Sequence, residues 1–367
     1  MKDEIVSEDL ILLNLTGCVG SSLLGRLLGR FGSTGAILNV GTRDLMSVDG
    51  IGVVIAKAIT NINKTGKADL EKEKAEKLGV KILPYTHPAY PKYLQEAFDY
   101  PIVLYVKGEL EEADKLALAV VGTRKPSAYG ARQAVKFSRE LAELGICIVS
   151  GLARGIDTFA HTGALKAKGG RTVAVIGSGL DIIYPPENKE LFNQVSKRGA
   201  VISEFGFGVQ PDTRNFPRRN RIVSAMTLGT LVIEAGEKSG ALITTGMALE
   251  QGKEVFCLPG DIDRPQSKGT NYMLKQGAKL VEGVEDILEE IPVFSEILKS
   301  LKKAPQVSPI EKMVLNSMDE PSQDLYKIIR KTNLPENTVA ITLESLVSKE
   351  LVKQGADGEF TRSLIDY

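Results

Sequence analysis

Four arginines fall within eight residues, Arg214-Asn215-Phe216-Pro217-Arg218-Arg219-Asn220-Arg221. The chain around them is neutral, with 46 basic and 46 acidic side chains in 367 residues. A guanidinium presents a planar fork of donors that matches phosphate oxygens. No acidic residue interrupts the run, and the nearest is Asp212. Phe205, Phe207 and Phe216 add aromatic faces. Charge beside aromatic surface suits a single nucleic acid strand, whose unstacked bases lie on π faces while phosphates meet cations. The competing reading places these phenylalanines in the core. It fits Phe205 better, and for Phe216, set between polar residues and Pro217, both readings stand.

A second group of residues belongs to glycine turns. Strand-like runs end in Val121-Gly122, Ser150-Gly151, Ile176-Gly177, Phe205-Gly206, Ala235-Gly236 and Pro259-Gly260. The repetition implies backbones approaching a ligand along one edge of a sheet. Gly122-Thr123-Arg124 leads through Ser127 into a helix, whose free N–H groups hold an anion; the bland role for Ser127 is a helix cap. Gly151, Arg154 and Gly155 form the next turn, and Gly177-Ser178-Gly179 a third, with Tyr184 nearby. Ser239, Gly240, Thr244 and Thr245 stand where another helix starts, with Lys238 beside them. Glu234 reads as a cap, as an acceptor from a base or ribose, or as a lone acid or base with no second group to help it. Asp157 and His161 are four apart on one helix, but no third metal ligand is visible, so a helix-surface contact is expected. With two histidines and three scattered cysteines, a zinc site or a histidine triad is not expected. Neither Gly-x-Gly-x-x-Gly nor a P-loop occurs. No catalytic residue, metal or cofactor is assigned.

The elements that position these residues follow from periodicity. Apolar runs over 116–121, 147–150, 172–176, 200–204, 230–234, 254–258 and 279–281 alternate with helical stretches such as 131–144, 159–167 and 244–251. That pattern predicts an α/β core, a Rossmann-like parallel sheet covered on both faces. Residues 1–65 read as a helical domain with two helix-hairpin-helix-like units, at Gly17–Gly20 and Gly50–Gly52. Residues 66–81 read as a solvated helix, and 82–110 as a connector with one strand at 102–106. The core runs over 66–291, a linker over 292–308, and a winged-helix-like domain over 309–367. The third helix of that last domain carries Glu336 and Glu344, and Glu350 follows; against them stands only Lys349, so major-groove binding is doubtful. With 43% apolar and 25% charged residues, no run long enough to span a membrane and an acidic Met1–Glu4, the expectation is a cytoplasmic globular protein without a signal peptide. Cys18, Cys147 and Cys257 are expected to stay reduced.

The motifs Gly122-Thr123-Arg124…Ser127-Ala128-Tyr129-Gly130, Ser150 through Asp157, Phe216 through Ile222 and Ser239 through Thr244 occur in the order that resembles the DNA-processing protein A (DprA/Smf) family. The resemblance spans about residues 80–291. It implies an extended Rossmann-like core that binds single-stranded DNA, a homodimer, and loading of the recombinase RecA in natural transformation. It carries Arg124 into the DNA pocket, together with Arg219, Asn220 and Arg221. Asn215, Phe216, Arg218, Arg154 and the glycine turns complete the expected DNA site. A dimer surface is implied near Asn271, Tyr272, Met273, Leu274 and Leu280. Two other readings remain. Thr227-Leu228-Gly229-Thr230…Glu234 distantly resembles nucleotide monophosphate phosphoribohydrolases, but lacks their double glycine and shifts the glutamate by one position. A mononucleotide sensor is the third.

Overall fold

The structure, a computed structural model, describes residues 5–62, 66–303, 307–349, 351–355 and 358–362. Met1–Glu4 and Glu350, used above, lie outside the described residues. The chain divides into two compact units, one up to Ser295 and one from Glu296.

The first unit is built on one nine-stranded sheet. Its strands are Lys81–Pro84 (β1), Val103–Gly108 (β2), Ala117–Val121 (β3), Cys147–Ser150 (β4), Thr172–Val175 (β5), Gly199–Ser203 (β6), Gly229–Val232 (β7), Glu254–Cys257 (β8) and Lys279–Leu280 (β9). The spatial order is β1-β2-β6-β5-β4-β3-β7-β8-β9. Strands β6 to β9 are parallel, while β2 runs antiparallel to β6 and to β1. β3, β4, β5 and β6 are buried along their full length, which is why they read as apolar runs without alternation. From β3 the chain steps outward through β4 and β5 to β6, then returns to the other side of β3 for β7. That reversal is a topological switch point, where an open α/β sheet leaves a crevice outside its carboxyl ends.

The sheet helices are Ala128–Glu143 (α8), Ile156–Lys166 (α9), Lys189–Lys197 (α10), Asn215–Ala225 (α11), Ala241–Glu250 (α12), Lys268–Lys275 (α13) and Val284–Glu290 (α14). They are preceded by Ser7–Leu15 (α1), Ser21–Phe31 (α2), Thr34–Asn39 (α3), Thr42–Leu45 (α4), Val53–Thr60 (α5), Lys67–Leu78 (α6) and the short Lys92–Gln95 (α7). Boundaries lie within a few residues of the periodicity reading.

Four expectations are corrected. The N-terminal helices share one core with the sheet: Leu10, Leu13, Leu24 and Leu27 join a buried cluster with Tyr105, Ile176 and Phe207. α6 is not simply solvated, because Glu71 is buried and accepts the Phe207 N–H at 2.8 Å. The 82–110 connector holds two strands, β1 and β2, paired from Lys81–Val106 to Pro84–Val103. Pro84 is tolerated because β1 is an edge strand. The 292–308 linker begins with a helix, Pro292–Lys303 (α15).

The second unit contains Pro309–Ser317 (α16), Leu325–Thr332 (α17) and Glu336–Ser348 (α18), then a hairpin of Val352–Gln354 (β10) and Phe360–Arg362 (β11). Ser308 and Glu311 form a reciprocal cap at the start of α16. Val314, Ile328, Val339, Leu343 and Leu346 form its core.

Candidate nucleic-acid interface

The carboxyl ends of β3, β4 and β5 carry a stack of two rings flanked by two cations. Phe216 sits in the first turn of α11, where Pro217 is accepted because first-turn amides have no helical partner. The Arg124 guanidinium lies over the Phe216 ring, 5.0 Å from its centroid. The Tyr184 ring lies 6.2 Å from Phe216 at an interplanar angle of 31°. Arg154 lies 5.7 Å over Tyr184. These four side chains line a cleft with Gly151 and Gly177. Sequence reasoning named Phe216 and both arginines but left Tyr184 as a neighbour; its only local signal was an aromatic before Pro185 in a glycine-rich turn.

Arg124 and Phe216 also line a wider groove of about 650 Å³. Thr123, Arg124 and Lys125 line one side, and Lys238, Ser239, Gly240 and Thr244, at the start of α12, line the other. Arg124, Lys125 and Lys238 are exposed and form no ion pair among the described residues. Arg154 is also exposed but is bidentate to Glu187, with one contact at 3.1 Å. Ser127 and Glu234 are committed to the fold. The Ser127 hydroxyl accepts the Gly130 N–H at 3.1 Å and donates to Glu234 Oε1 at 2.5 Å, while its backbone N–H donates to Glu234 Oε2 at 2.8 Å. Glu234 is buried. It is thus a cap whose two oxygens are both used.

The arginine run is not the unneutralised strip its composition implies. Arg214 is fully in solvent and pairs with Asp212 at 2.9 Å. Arg218 and Arg221, three apart on α11, both face Glu204. Arg218 lies 3.8 Å from that carboxylate, 5.2 Å over the Phe205 ring, and donates to the Gly17 carbonyl at 3.2 Å. Arg221 pairs with Glu204 and, at 3.2 Å, with Asp99. Burial raises the Glu204 carboxyl, and Arg221 opposes the shift. Phe205 is buried, as core. Asn215 donates to the Gly177 carbonyl at 3.2 Å and so anchors the helix start to the turn after β5.

Arg219 points the other way. It is 4% exposed, donates to the Gly151 and Val175 carbonyls, and holds Asn220 Oδ1 at 3.1 Å. Burial lowers its guanidinium to about 10. Asp157 is its buried counter-charge and accepts the Gly151 and Ala153 N–H groups at 3.1 and 3.3 Å. Burial raises the Asp157 carboxyl, and Arg219 opposes that shift. His161 lies in the interior, not on a helix surface, with Nδ1 2.7 Å from Thr172 Oγ1. Burial, and secondarily Arg219, lowers its imidazole to about 3. No cluster of three potential metal ligands occurs among the described residues.

The glycines mostly admit protein rather than a ligand. A Cβ on Gly151 would lie 2.5 Å from the Arg219 guanidinium, and one on Gly155, at φ +82°, would lie 2.3 Å from the Thr123 carbonyl. At Gly122 and Gly179 the space is likewise taken by Ile156 and by the Gly206 carbonyl. Gly240 alone of the expected set opens onto free space.

The residues expected at a dimer surface lie on α13 and β9, at the far edge of the sheet. Tyr272 and Leu280 are exposed, together with nearby Ile262. Met273 and Leu274 are half-buried against the protomer's own core. Asn271 is occupied in bracing Gly260, bonding both its N–H and its carbonyl.

Residues 81–292 match the profile of the DNA recombination-mediator protein A family. The chain belongs to that family. The matched segment contains the whole ladder, the groove and α13. Protein Smf of Escherichia coli is 46% identical over 211 residues, covering 57% of this chain and 56% of its own length. DNA processing protein DprA of Bacillus subtilis is 41% identical over 215 residues, covering 58% and 72%. Among solved structures, DprA from Streptococcus pneumoniae superposes with a TM-score of 0.67 at 34% identity, covering 78% of this chain and 99% of that one. DNA processing protein A from Helicobacter pylori, whose structure describes its single-stranded DNA binding mode, matches at 0.53 and 30%, covering 60% and 96%. No helix among the described residues is long and apolar enough to cross a membrane.

Proposed function

We propose that this chain binds single-stranded DNA along the carboxyl edge of its sheet and, as a homodimer, hands the strand to the recombinase RecA. The observation that carries the binding step is the ladder Arg124–Phe216–Tyr184–Arg154, beside a groove whose cations Arg124, Lys125 and Lys238 form no ion pair among the described residues. Bases stack on the rings, at about 1–3 kcal/mol per base, while phosphates meet Arg124, Lys125 and Lys238. Duplex DNA keeps its bases stacked and offers only its backbone to such a surface. The recombinase step and the dimer rest on family membership, with Tyr272 and Leu280 supplying apolar contact between copies. Arg219 and Arg221 serve this function from behind, by fixing α11 so that Phe216 meets Arg124.

Fluorescence anisotropy with labelled single- and double-stranded oligonucleotides over a salt series, with mononucleotide competitors, tests the reading. Preference for the single strand, a steep salt dependence and weak mononucleotide competition support it. Tighter binding of a mononucleotide than of the strand overturns it.

A further inference from the structure

Gly155, the residue before α9, packs against the Thr123 carbonyl and the Arg124 backbone. α8 starts at Ala128, four residues after Arg124, and packs along α9 in a seam. A groove of about 620 Å³ follows that seam. Arg132 and Lys136 stand on its α8 side, four residues apart and so on one helix face. Lys166 stands on the α9 side. All three are exposed, and none forms an ion pair among the described residues. Half-buried Phe159, one turn into α9, adds a ring. Two carboxylates also line the groove: Glu143 is held by Arg139 at 2.7 Å, and Glu140 lies near Lys136 without pairing.

We infer that this groove is the outward track of the same DNA strand, carrying the nucleotides that leave the sheet edge. The inference rests on the single-strand reading given above. Three features favour a nucleic acid occupant. The helix that lines it, α8, starts four residues after Arg124. Unpaired cations are concentrated there in a chain whose net charge is zero. A half-buried ring, Phe159, lines the same groove and offers a stacking face. From Ser127 to Lys136 the helix advances about 14 Å at 1.5 Å per residue, room for several nucleotides beyond those at the ladder. A purely solvated helix face predicts no effect of these cations on any DNA.

The test uses the full chain and labelled oligothymidylates of two lengths, about 6 and about 30 nucleotides, chosen to bracket the usual site sizes. The double variant Arg132→Glu/Lys136→Glu is expected to bind the long strand about tenfold more weakly, with a salt slope lower by about 1.4, or 0.7 per lost phosphate contact. Binding of the short strand is expected to be unchanged, whereas Arg124→Ala weakens both lengths. The neutral pair Arg132→Gln/Lys136→Gln, with the wild-type melting temperature, is expected to fall between. Unchanged binding of the long strand by either double variant, or equal loss for both lengths, overturns the track and leaves the sheet-edge site standing. A wild-type chain that holds neither length overturns the parent reading as well.

Discussion

Replacing Arg219 with Met separates bracing from DNA contact. In the structure its guanidinium is buried, bonded to the Gly151 and Val175 carbonyls and opposed by Asp157. Met fills similar volume but leaves two carbonyls without that donor and Asp157 without its cation. Breaking a buried charge pair from one side costs about 3–5 kcal/mol. In a unit of this size each kcal/mol moves the melting temperature by about 2–4 °C, so a fall of roughly 10 °C is expected. Gly151→Ala reaches the same interaction independently, because its Cβ would occupy the guanidinium position. The two substitutions are therefore expected to be strongly non-additive, the double variant melting near the worse single one. Both are read by thermal unfolding followed by circular dichroism. Anisotropy is then measured well below each midpoint, where the salt slope is expected to match wild type. An undiminished melting temperature with a salt slope lowered by about 0.7 would mean that Arg219 contacts phosphate, and the bracing argument would be refuted.

Three further outcomes follow from the same geometry. Arg124→Ala should leave the melting temperature unchanged, since the side chain is exposed, while lowering the single-strand salt slope by about 0.7; an unchanged slope removes Arg124 from the phosphate contacts. His161 is held at about 3, below its unfolded value of about 6.5, so the unfolded chain takes up a proton that the folded chain refuses. Stability conferred by the neutral ring is full above pH 6.5 and falls as pH drops toward 3, by about 2 kcal/mol at pH 5 relative to neutrality. Urea titrations of wild type and His161→Asn should therefore converge as pH falls from 7 to 5, and parallel curves would contradict the assignment. Tyr272→Asp with Leu280→Asp should convert a dimer to a monomer in sedimentation, and a persistent dimer would place the interface elsewhere.

The sheet was legible because β3 to β6 are buried on both faces, and burial of that kind leaves unbroken apolar runs. β1 was not, since four residues ending in proline carry almost no pattern; its existence depends on pairing with β2. The merging of the N-terminal helices with the core was also hidden. It turns on single polar contacts, such as Asn14 to the Glu204 carbonyl at 3.0 Å and Glu71 to Phe207, whose partners are more than a hundred residues away. The glycine turns were located correctly, but their purpose was not readable. A glycine reports that something comes close, and only the fold shows that at Gly151 the visitor is Arg219.

The arginine run is the instructive case. Helix phase divides it: residues 218 and 221 share the face toward Glu204, while residue 219 lies about 100° around and enters the sheet. A cluster of like charge on a helix cannot present every member to one ligand, and those turned inward require buried carboxylates. Glu204, ten residues before the run, and Asp157, far from it in sequence, meet that requirement. The attraction available to a phosphate is then set by the cations left without such partners. Among the described residues around the cleft these are Arg124, Lys125 and Lys238, none of which belongs to the run. Affinity should therefore respond more to losing Arg124 than to losing Arg214, which already pairs with Asp212 in solvent. Arg214→Ala, which removes one member of that exposed pair, should change neither folding nor salt slope measurably. A slope drop equal to that of Arg124→Ala would show that the whole run faces the strand, and that the division by helix phase does not govern binding.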